Sequence, residues 1–129
     1  MNIEQVREVF SKDRFATENG AVIMEIGEHY AKCSMKLEAR HRNAMGGVMG
    51  GVYFTLADFA FAVAANHEKM GVVAISSNIS FLNSCKGEEL YAEARCIKEG
   101  RTTCYYEVNV YDNTDRQVAA VVITGCHVG

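Results

Sequence analysis

The spacing of hydrophobic residues changes along this chain, and each spacing predicts a different kind of element. At the N-terminus apolar residues recur at the spacing of an amphipathic helix: Ile3, Val6, Val9 and Phe10. This spacing predicts a short helix over residues 2–10. Asn2 is a suitable N-cap, and Gln5 stands three residues later, at the second position of a capping box.

Most of the remaining chain alternates apolar and polar residues, which is the period of a strand with one buried face. The predicted strands cover residues 21–26, 32–38, 73–81, 90–98, 102–111 and 117–128. In the strand 73–81 the apolar residues share one parity: Val73, Ile75, Ile79 and Phe81. The turns at 99–101 and 112–116 are short, so we expect the strands that they join to pair antiparallel.

The segment between residues 42 and 68 departs from that alternation. Asp58 is its only formally charged residue when histidine is taken as neutral. Residues 52–66 carry apolar side chains on every side at the helical period, which predicts a helix that other elements enclose. The loop before this helix is rich in glycine: Gly46, Gly47, Gly50 and Gly51. Such a loop gives the backbone freedom at the start of the helix.

The order of elements is therefore a short helix, two strands, a buried helix and four strands. Strands joined by short turns need an apolar cover on one face, and only the central helix is long enough to supply it. This predicts an α+β fold, the hotdog fold, in which an antiparallel sheet wraps around one long buried helix. At 129 residues the chain has the size of one domain, predicted over residues 1–129.

Composition and charge exclude several classes of protein. The formal net charge is −3, and the Lys and Arg residues are scattered, which argues against a nucleic-acid-binding face. Charged residues interrupt any secretory signal at the N-terminus, and the longest apolar stretch, 52–65, is shorter than the ~20 residues that cross a membrane. The five cysteines form no CxxC pair, which favours reduced thiols and predicts a cytoplasmic protein.

Asp58 is the most unusual residue of the predicted helix. An acid in an enclosed apolar helix loses hydration, which disfavours its charged form. It could lie at an exposed rim of the helix, where water or a backbone amide would satisfy it. Since the pattern leaves no solvent-facing stripe for it to join, we expect a buried carboxylate that faces an interface, a setting typical of functional sites.

The glycines at the start of the helix offer a second chemical feature. Gly50 and Gly51 would leave backbone N–H groups without intrahelical partners, beside the positive end of the helix dipole. A carbonyl oxygen placed there could be polarised, and a developing oxyanion stabilised. The alternative is structural, because small residues also let a helix end approach a sheet closely.

Three motifs around this helix carry a resemblance. They read His41-Arg42-Asn43-Ala44-Met45-Gly46, then Met49-Gly50-Gly51, then Phe54-Thr55-Leu56-Ala57-Asp58. Together they resemble the H-x-N, H-G-G and F-T-L-A-D signature of the PaaI-like acyl-CoA thioesterases of the hotdog superfamily. Later segments are also similar to the family's strands, namely 78–82, the Gly100-Arg101 turn and 112–119. The resemblance covers nearly the whole chain.

The resemblance implies an acyl-CoA thioesterase that needs no cofactor or metal, with coenzyme A present only as part of the substrate. Asp58 would be the catalytic carboxylate, which either attacks the thioester carbonyl or activates a water. Gly50 would offer its backbone N–H to the thioester oxygen, and Asn43 of the other subunit would position the water. A strand hydroxyl would assist; Ser77 shares parity with the apolar face, and Ser76 is the alternative.

Other residues are predicted to contact the substrate. Met49, Gly51 and Phe54 lie at the start of the helix, where an acyl or aryl group would bind. Lys98 and Arg101 flank a hairpin turn and could meet the phosphates of coenzyme A, since Arg pairs well with phosphate. The alternative for this pair is an ordinary solvated turn.

Met49 departs from the family motif, which has a histidine at this position in many relatives. Methionine can neither donate a hydrogen bond nor take up a proton, so a non-catalytic acyl-CoA-binding protein remains a second hypothesis. A third is a hotdog hydro-lyase acting on hydroxyacyl thioesters, which needs a histidine and an acid that Met49 and Gly50 do not supply. His41 keeps its family position, although it could equally be a surface residue.

The remaining histidines and the sheet edge lead to predictions about partners. His29, His67 and His127 are scattered in the sequence, so no metal site is predicted. A monomer would expose a strand edge and an apolar helix end, and symmetric pairing covers such edges. We therefore expect a homodimer, which the resemblance extends to a homotetramer, with an acyl-CoA substrate and no nucleic acid or membrane partner.

Overall fold

A computed structural model describes residues 1–128, and Gly129, the last residue of the predicted domain, lies outside the described residues. The helices are α1 (Ile3–Phe10), α2 (Arg14–Glu18) and α3 (Gly50–Asn66). The strands are β1 (Ala21–Gly27), β2 (Tyr30–Lys36), β3 (Val72–Phe81), β4 (Glu89–Glu99), β5 (Thr103–Asp112) and β6 (Gln117–His127). All six strands form one antiparallel sheet in the order β1-β2-β4-β5-β6-β3. The predicted fold class is confirmed.

The short helix α1 begins where the sequence predicts. The Asn2 side chain accepts a hydrogen bond from the Gln5 N–H, and the Gln5 side chain accepts one from the Asn2 N–H, both at 2.9 Å. This capping box satisfies two N–H groups that lack intrahelical partners. The buried face of α1 packs toward α3, and the Phe10 and Phe59 rings meet edge to face at 6.4 Å.

The second helix, α2, was not predicted. It is only five residues long, which is too short for hydrophobic periodicity to distinguish it from a loop. Its N-cap residue Asp13 makes no side-chain capping bond, and Ala16 is its one buried residue. Contacts with α3 and β1 therefore hold it in place.

The core lies between the long helix α3 and the inner face of the sheet. Fully buried side chains of α3 include Leu56, Ala57, Ala60 and Val63. Facing them, alternate residues of the central strands are buried to the same degree: Ala92, Ala94, Tyr106, Val108, Val110, Val121 and Ile123. Among the residues that the structure describes, no helix is long and apolar enough to cross a membrane.

One stripe of α3 is left uncovered by the chain's own sheet. Apart from the adjacent pair Phe54 and Thr55, its members follow one another at three or four positions, and all are partly or fully exposed: Gly51, Phe54, Thr55, Asp58, Ala62 and Ala65. The elements of the single chain therefore enclose the helix on most sides but not on this one. The stripe escaped the hydropathy pattern because most of its side chains are as apolar as those that face the core.

The strand β3 is also uncovered, and it lies at one edge of the sheet. Its side chains are exposed or only partly buried along its whole length. A bulge between Ala74 and Ser76 shifts the register against β6. Val73 lies opposite Cys126 and Ile79 opposite buried Val121, so the two residues face opposite sides of the sheet. The prediction that they share one face is wrong.

Asp112 is a fully buried carboxylate at the end of β5. One oxygen accepts hydrogen bonds from the N–H groups of Lys86 and Gly87 at 2.8 and 3.0 Å. The other accepts bonds from the Thr114 hydroxyl and from the N–H groups of Thr114 and Arg116. Burial opposes its charge, but these bonds prevail and hold the pKa of Asp112 well below its usual range. Asp112 thus joins the β5–β6 turn to the loop 82–88.

We predict that Asp112→Asn lowers the free energy of unfolding at pH 7 by about 2–4 kcal/mol, because an amide loses charge-assisted bonds and introduces buried donors. A group whose pKa is depressed in the folded state stabilises the fold above its unfolded pKa of ~3.9 and loses that effect in acid. The difference from the wild type should therefore shrink below about pH 4. Urea denaturation of the wild type and the variant, at pH 7 and below about pH 4, measures this difference in the free energy of unfolding.

Asp115→Asn is the matched control for this prediction. Asp115 lies in the same turn, is exposed, and has a positive φ of 64°, a conformation that Asn adopts readily. Its substitution should change the free energy of unfolding by less than about 0.5 kcal/mol. Equal effects of the two substitutions would contradict the structural role of Asp112.

Candidate active site

The loop before α3 is organised by the side chain of Asn43. Its Oδ1 accepts hydrogen bonds from the N–H groups of Met45 and Gly47 at 3.0 and 3.1 Å. The loop closes further through a bond of 2.7 Å from the Asn43 N–H to the Gly47 carbonyl, and Gly46 takes a φ of +88° that favours glycine. Because Oδ1 is committed to the loop, Nδ2 is the part of Asn43 that can donate to a ligand.

His41 anchors this loop from inside the protein. It is 2% exposed, and its Nδ1 accepts a hydrogen bond of 2.9 Å from the Glu38 N–H. Nε2 therefore carries the proton and donates to the Asn19 carbonyl at 2.7 Å, just beyond α2. The alternative that His41 is a surface residue is wrong. Its role was hidden from the sequence because α2, which precedes its partner, gave no periodic signal.

The N-terminus of α3 has no side-chain cap. Met49 occupies the N-cap position and makes no capping bond, so the N–H of Gly50 at the first helical position stays open toward a ligand. A Cβ added to Gly50 would lie 2.8 Å from Cε1 of Phe81. Both explanations for this glycine therefore hold, namely an open N–H and close packing. Gly50, Asn43 and Phe81 line a cavity of about 540 Å³.

Asp58 lies further along α3, in a second cavity of about 380 Å³ between α3 and α2. Its side chain is exposed in the single chain, and the predicted burial against an interface between subunits stays a prediction. Neighbouring groups partly desolvate the carboxyl, which raises the pKa of Asp58 above its usual value. The Asp13 carboxylate raises it further. Asp13 is a member of this site that the sequence did not indicate.

Gly50 and Asp58 are too far apart in one chain to act on the same atom. They are separated by 58 − 50 = 8 positions of α3, which corresponds to about 12 Å along the helix axis. The structure brings Asn43 and Gly50 together in one cavity and leaves Asp58 in another. A single chain therefore contains two separate parts of the predicted site.

The two strand serines face opposite sides of the sheet. Ser77 lies opposite buried Ile123 on β6, whereas Ser76 lies opposite Thr124. Directly paired residues share a face, so Ser77 lies on the helix side of the sheet, with the parity that the sequence predicts. Both serines are exposed at the edge strand, and neither lines the cavity of Gly50 or that of Asp58.

The remaining predicted contacts divide between two places. Met49, Gly51 and Phe54 line a third, largely apolar cavity of about 410 Å³ between α2 and the start of α3. This cavity shares Phe15 and Phe54 with the Asp58 cavity, so the two adjoin. Lys98 and Arg101 are exposed at the β4–β5 hairpin and form no ion pair within the part of the chain that the structure describes.

The fold and the open helix terminus together define a class of protein. A six-stranded antiparallel sheet packed around one long helix is the hotdog fold, and open N–H groups at the start of that helix suit acyl transfer. Residues 45–119, more than half of the chain, match the thioesterase superfamily. The chain belongs to this superfamily of thioester hydrolases.

Individual relatives agree with this family. The chain is 30% identical over 112 residues to the acyl-coenzyme A thioesterase PaaI of Escherichia coli K12, covering 86% of this chain and 80% of that protein. It is 31% identical over 98 residues to acyl-coenzyme A thioesterase 13 of Homo sapiens, covering 74% and 68%. The solved structure of E. coli PaaI superposes with a TM-score of 0.86 and 25% identity, covering 99% of this chain and 97% of that one.

We predict that Asp58→Asn raises the melting temperature at pH 7. A carboxyl whose pKa is raised by folding is penalised when it ionises, so its favourable contribution is complete below the unfolded pKa of ~3.9 and is lost as the pH rises through the folded value. An amide carries no such penalty. Thermal unfolding followed by circular dichroism should show a more stable variant at pH 7 and no difference at pH 3.

Asp13→Asn tests the cause of the shift. Removing the neighbouring charge should lower the pKa of Asp58, which carboxyl-carbon NMR titration measures directly. An unchanged Asp58 titration in this variant, or a less stable Asp58→Asn protein at pH 7, would contradict the electrostatic description of this cavity.

Proposed function

We propose that this protein hydrolyses small aryl- or acyl-CoA thioesters to the free acid and coenzyme A. The observation that carries the proposal is the open N-terminus of α3, where Met49 offers no capping group and Gly50 presents its backbone N–H. Two relatives with 30–31% identity bear the name acyl-coenzyme A thioesterase, which supports the same substrate class. The structurally similar E. coli PaaI comes from a phenylacetic acid degradation operon, which favours an aryl group.

The proposed site is built from two copies of the chain. Asp58 lies on the uncovered stripe of α3, too far from Gly50 of its own chain to share a substrate atom. A symmetric dimer in which the free edges of β3 approach each other would cover this stripe and bring Asp58 of one copy toward Gly50 and Asn43 of the other. Two such dimers would form the homotetramer.

Each residue then has a defined role in hydrolysis. The Gly50 N–H donates to the thioester oxygen and stabilises the negative charge that develops there, assisted by the helix dipole. Asn43 Nδ2 donates to the attacking water, since its Oδ1 holds the loop. Asp58 accepts a proton from that water, or attacks the carbonyl itself, and its raised pKa makes it a stronger base. Ser77, or Ser76, supplies a hydroxyl at the strand edge.

The bonds and protons balance without a metal or cofactor. The oxygen of water forms a bond to the acyl carbon, and the carbon–sulfur bond breaks. The electron pair of that bond leaves on sulfur, which takes up a proton to give the free thiol of coenzyme A. The five cysteines are unpaired in the structure, which suits a cytoplasmic enzyme that releases a thiol.

Substrate binding follows from the cavity beside Asp58. Met49, Gly51 and Phe54 would hold the acyl or aryl group in their apolar cavity. Lys98 and Arg101, which have no ion-pair partner among the described residues, would meet the phosphates of coenzyme A. Met49 is compatible with hydrolysis because the polarising group at Gly50 belongs to the backbone. A hydro-lyase, by contrast, would need the histidine that Met49 replaces.

Thiol release from a panel of aryl- and alkyl-CoAs tests the proposal. We predict measurable turnover by the wild type and a fall in kcat of about 10²- to 10⁴-fold in Asp58→Asn, while the affinity for a CoA ligand is retained. Asp115→Asn is the matched control, because it makes the same change at an exposed turn that lines neither the Gly50 cavity nor the Asp58 cavity. Its kcat should stay within about threefold of the wild type.

The outcomes separate the competing functions. Wild-type turnover by Asp58→Asn would exclude Asp58 as the reacting group. No turnover of any CoA thioester by the wild type, together with stabilisation of the fold by CoA ligands, would favour the acyl-CoA-binding protein and would make Met49 the residue to restore to histidine.

A further inference from the structure

The end of α3 opposite Gly50 carries a cluster of metal-ligating side chains that the proposed reaction does not use. Glu99 ends β4, Cys104 stands near the start of β5, and His127 ends β6. One ligand atom from each of these residues lies within 4.8 Å of the other two. His29, in the β1–β2 turn, approaches the same carboxylate, with its Nδ1 4.0 Å from Glu99 Oε2.

Strand register explains why these residues meet. Glu99 and Cys104 are direct partners in the β4–β5 ladder, so their side chains share a face. Cys104 in turn lies opposite Gly125 on β6, where an added Cβ would come within 2.8 Å of its sulfur. Glycine at 125 therefore leaves the room that the thiol occupies. His127, two residues later on β6, forms a hydrogen bond to Glu99 from its Nε2.

The site is accessible even though the thiol is buried. Cys104 is 2% exposed, while Glu99 and His127 have side-chain exposures of 34% and 37%. A cavity of about 350 Å³ opens onto His29, Glu99 and His127. An ion entering this cavity would meet the carboxylate and the imidazole first and the sulfur beneath them.

We propose that Glu99, Cys104 and His127 bind a thiophilic divalent transition cation of the Zn²⁺ class, and that His29, which already approaches Glu99, moves in as the fourth ligand. Zn²⁺ prefers four ligands in a tetrahedral arrangement, drawn from thiolate sulfur, imidazole nitrogen and carboxylate oxygen. Metal bonds of about 2.0–2.3 Å place ligand atoms about 3.3–3.6 Å apart, so the ligand atoms of Glu99, Cys104 and His127 must shift by about 1 Å on binding.

Binding rearranges protons but requires no redox partner. The Cys104 thiol proton leaves to solvent as the sulfur bonds the metal. The His127 ring carries its proton on Nδ1 when Nε2 is the ligand atom, and His29 gives up its contact of 3.3 Å with the Tyr106 hydroxyl. The metal would tie the β1–β2 turn, the β4–β5 hairpin and the end of β6 together, which stabilises the folded state by mass action.

The proposed metal site is separate from the reacting groups, although Glu99 stands between Lys98 and Arg101 in the hairpin that is proposed to meet the phosphates of coenzyme A. The cavity wall includes Ala64, Ala65 and Gly71, at the C-terminal end of α3 and just beyond it. No residue of this wall lines the cavities of Gly50 and Asp58. Loss of the metal should therefore change stability without removing the reacting groups.

Titration of the full chain with Co²⁺ alone tests the proposal. We expect one Co²⁺ per chain, with a sulfur-to-cobalt charge-transfer band in the near ultraviolet that reports thiolate ligation. Cys104→Ser should abolish the band. Cys85→Ser is the matched control, because Cys85 lies in the loop 82–88 beside the Asn43 cavity, and its variant should keep the full band.

A substitution at the buried Cys104 can also unfold the protein, which by itself would remove the band. Glu99→Gln and His127→Gln therefore serve as further test variants. Both side chains are partly exposed, so each variant should keep the far-ultraviolet circular dichroism of the wild type while its Kd for Co²⁺ rises at least about tenfold. Zn²⁺ should raise the Tm of the wild type, and at the same concentration it should raise that of His127→Gln less. Absence of the band at millimolar Co²⁺, or its persistence in Cys104→Ser, would overturn the proposal.

Discussion

The apolar surface of α3 is the constraint on which the rest of this fold depends. A helix that is apolar on every side is stable in water only when every side is covered. The sheet covers the side that carries Leu56 and Val63, but it leaves the stripe around Phe54 and Asp58 open. Among the described residues the sheet ends at β3, so no further strand of this chain covers the stripe. The uncovered stripe of α3 thus accounts for both the proposed dimer and the position of the proposed site.

The second feature of α3 is that its first turn is left open. Met49 has no acceptor for the first N–H groups, and Gly50 has no room for a side chain beside Phe81. In the proposed reaction these two facts leave backbone donors directed at a substrate oxygen, where a preorganised dipole acts at little reorganisation cost. The buried His41 and Asp112 hold the segments on either side of this cavity.

Sequence reasoning reached the strands, α1 and α3 because each is long enough for its period to be read. It missed α2, which is a single short turn of helix held by tertiary contacts, and the bulge that turns Val73 away from Ile79. The burial of His41 could not be predicted either, because its hydrogen-bond partner, the Asn19 carbonyl, lies just beyond the unpredicted helix α2. The exposure of Asp58 was missed for a different reason: hydropathy reports that a helix face is apolar, but not whether the same chain or another copy covers it.

Mixing two inactive variants tests the two-chain site most directly. Asp58→Asn removes the carboxylate, and Asn43→Asp keeps the side-chain oxygen that holds the loop but removes the Nδ2 donor beside Gly50. Each variant alone should be inactive. Equal amounts unfolded and reassembled together should recover about a quarter of wild-type turnover, because half of the dimers are mixed and each has one intact site. No recovery, with mixed dimers demonstrated by mass spectrometry, would contradict a site shared between two chains.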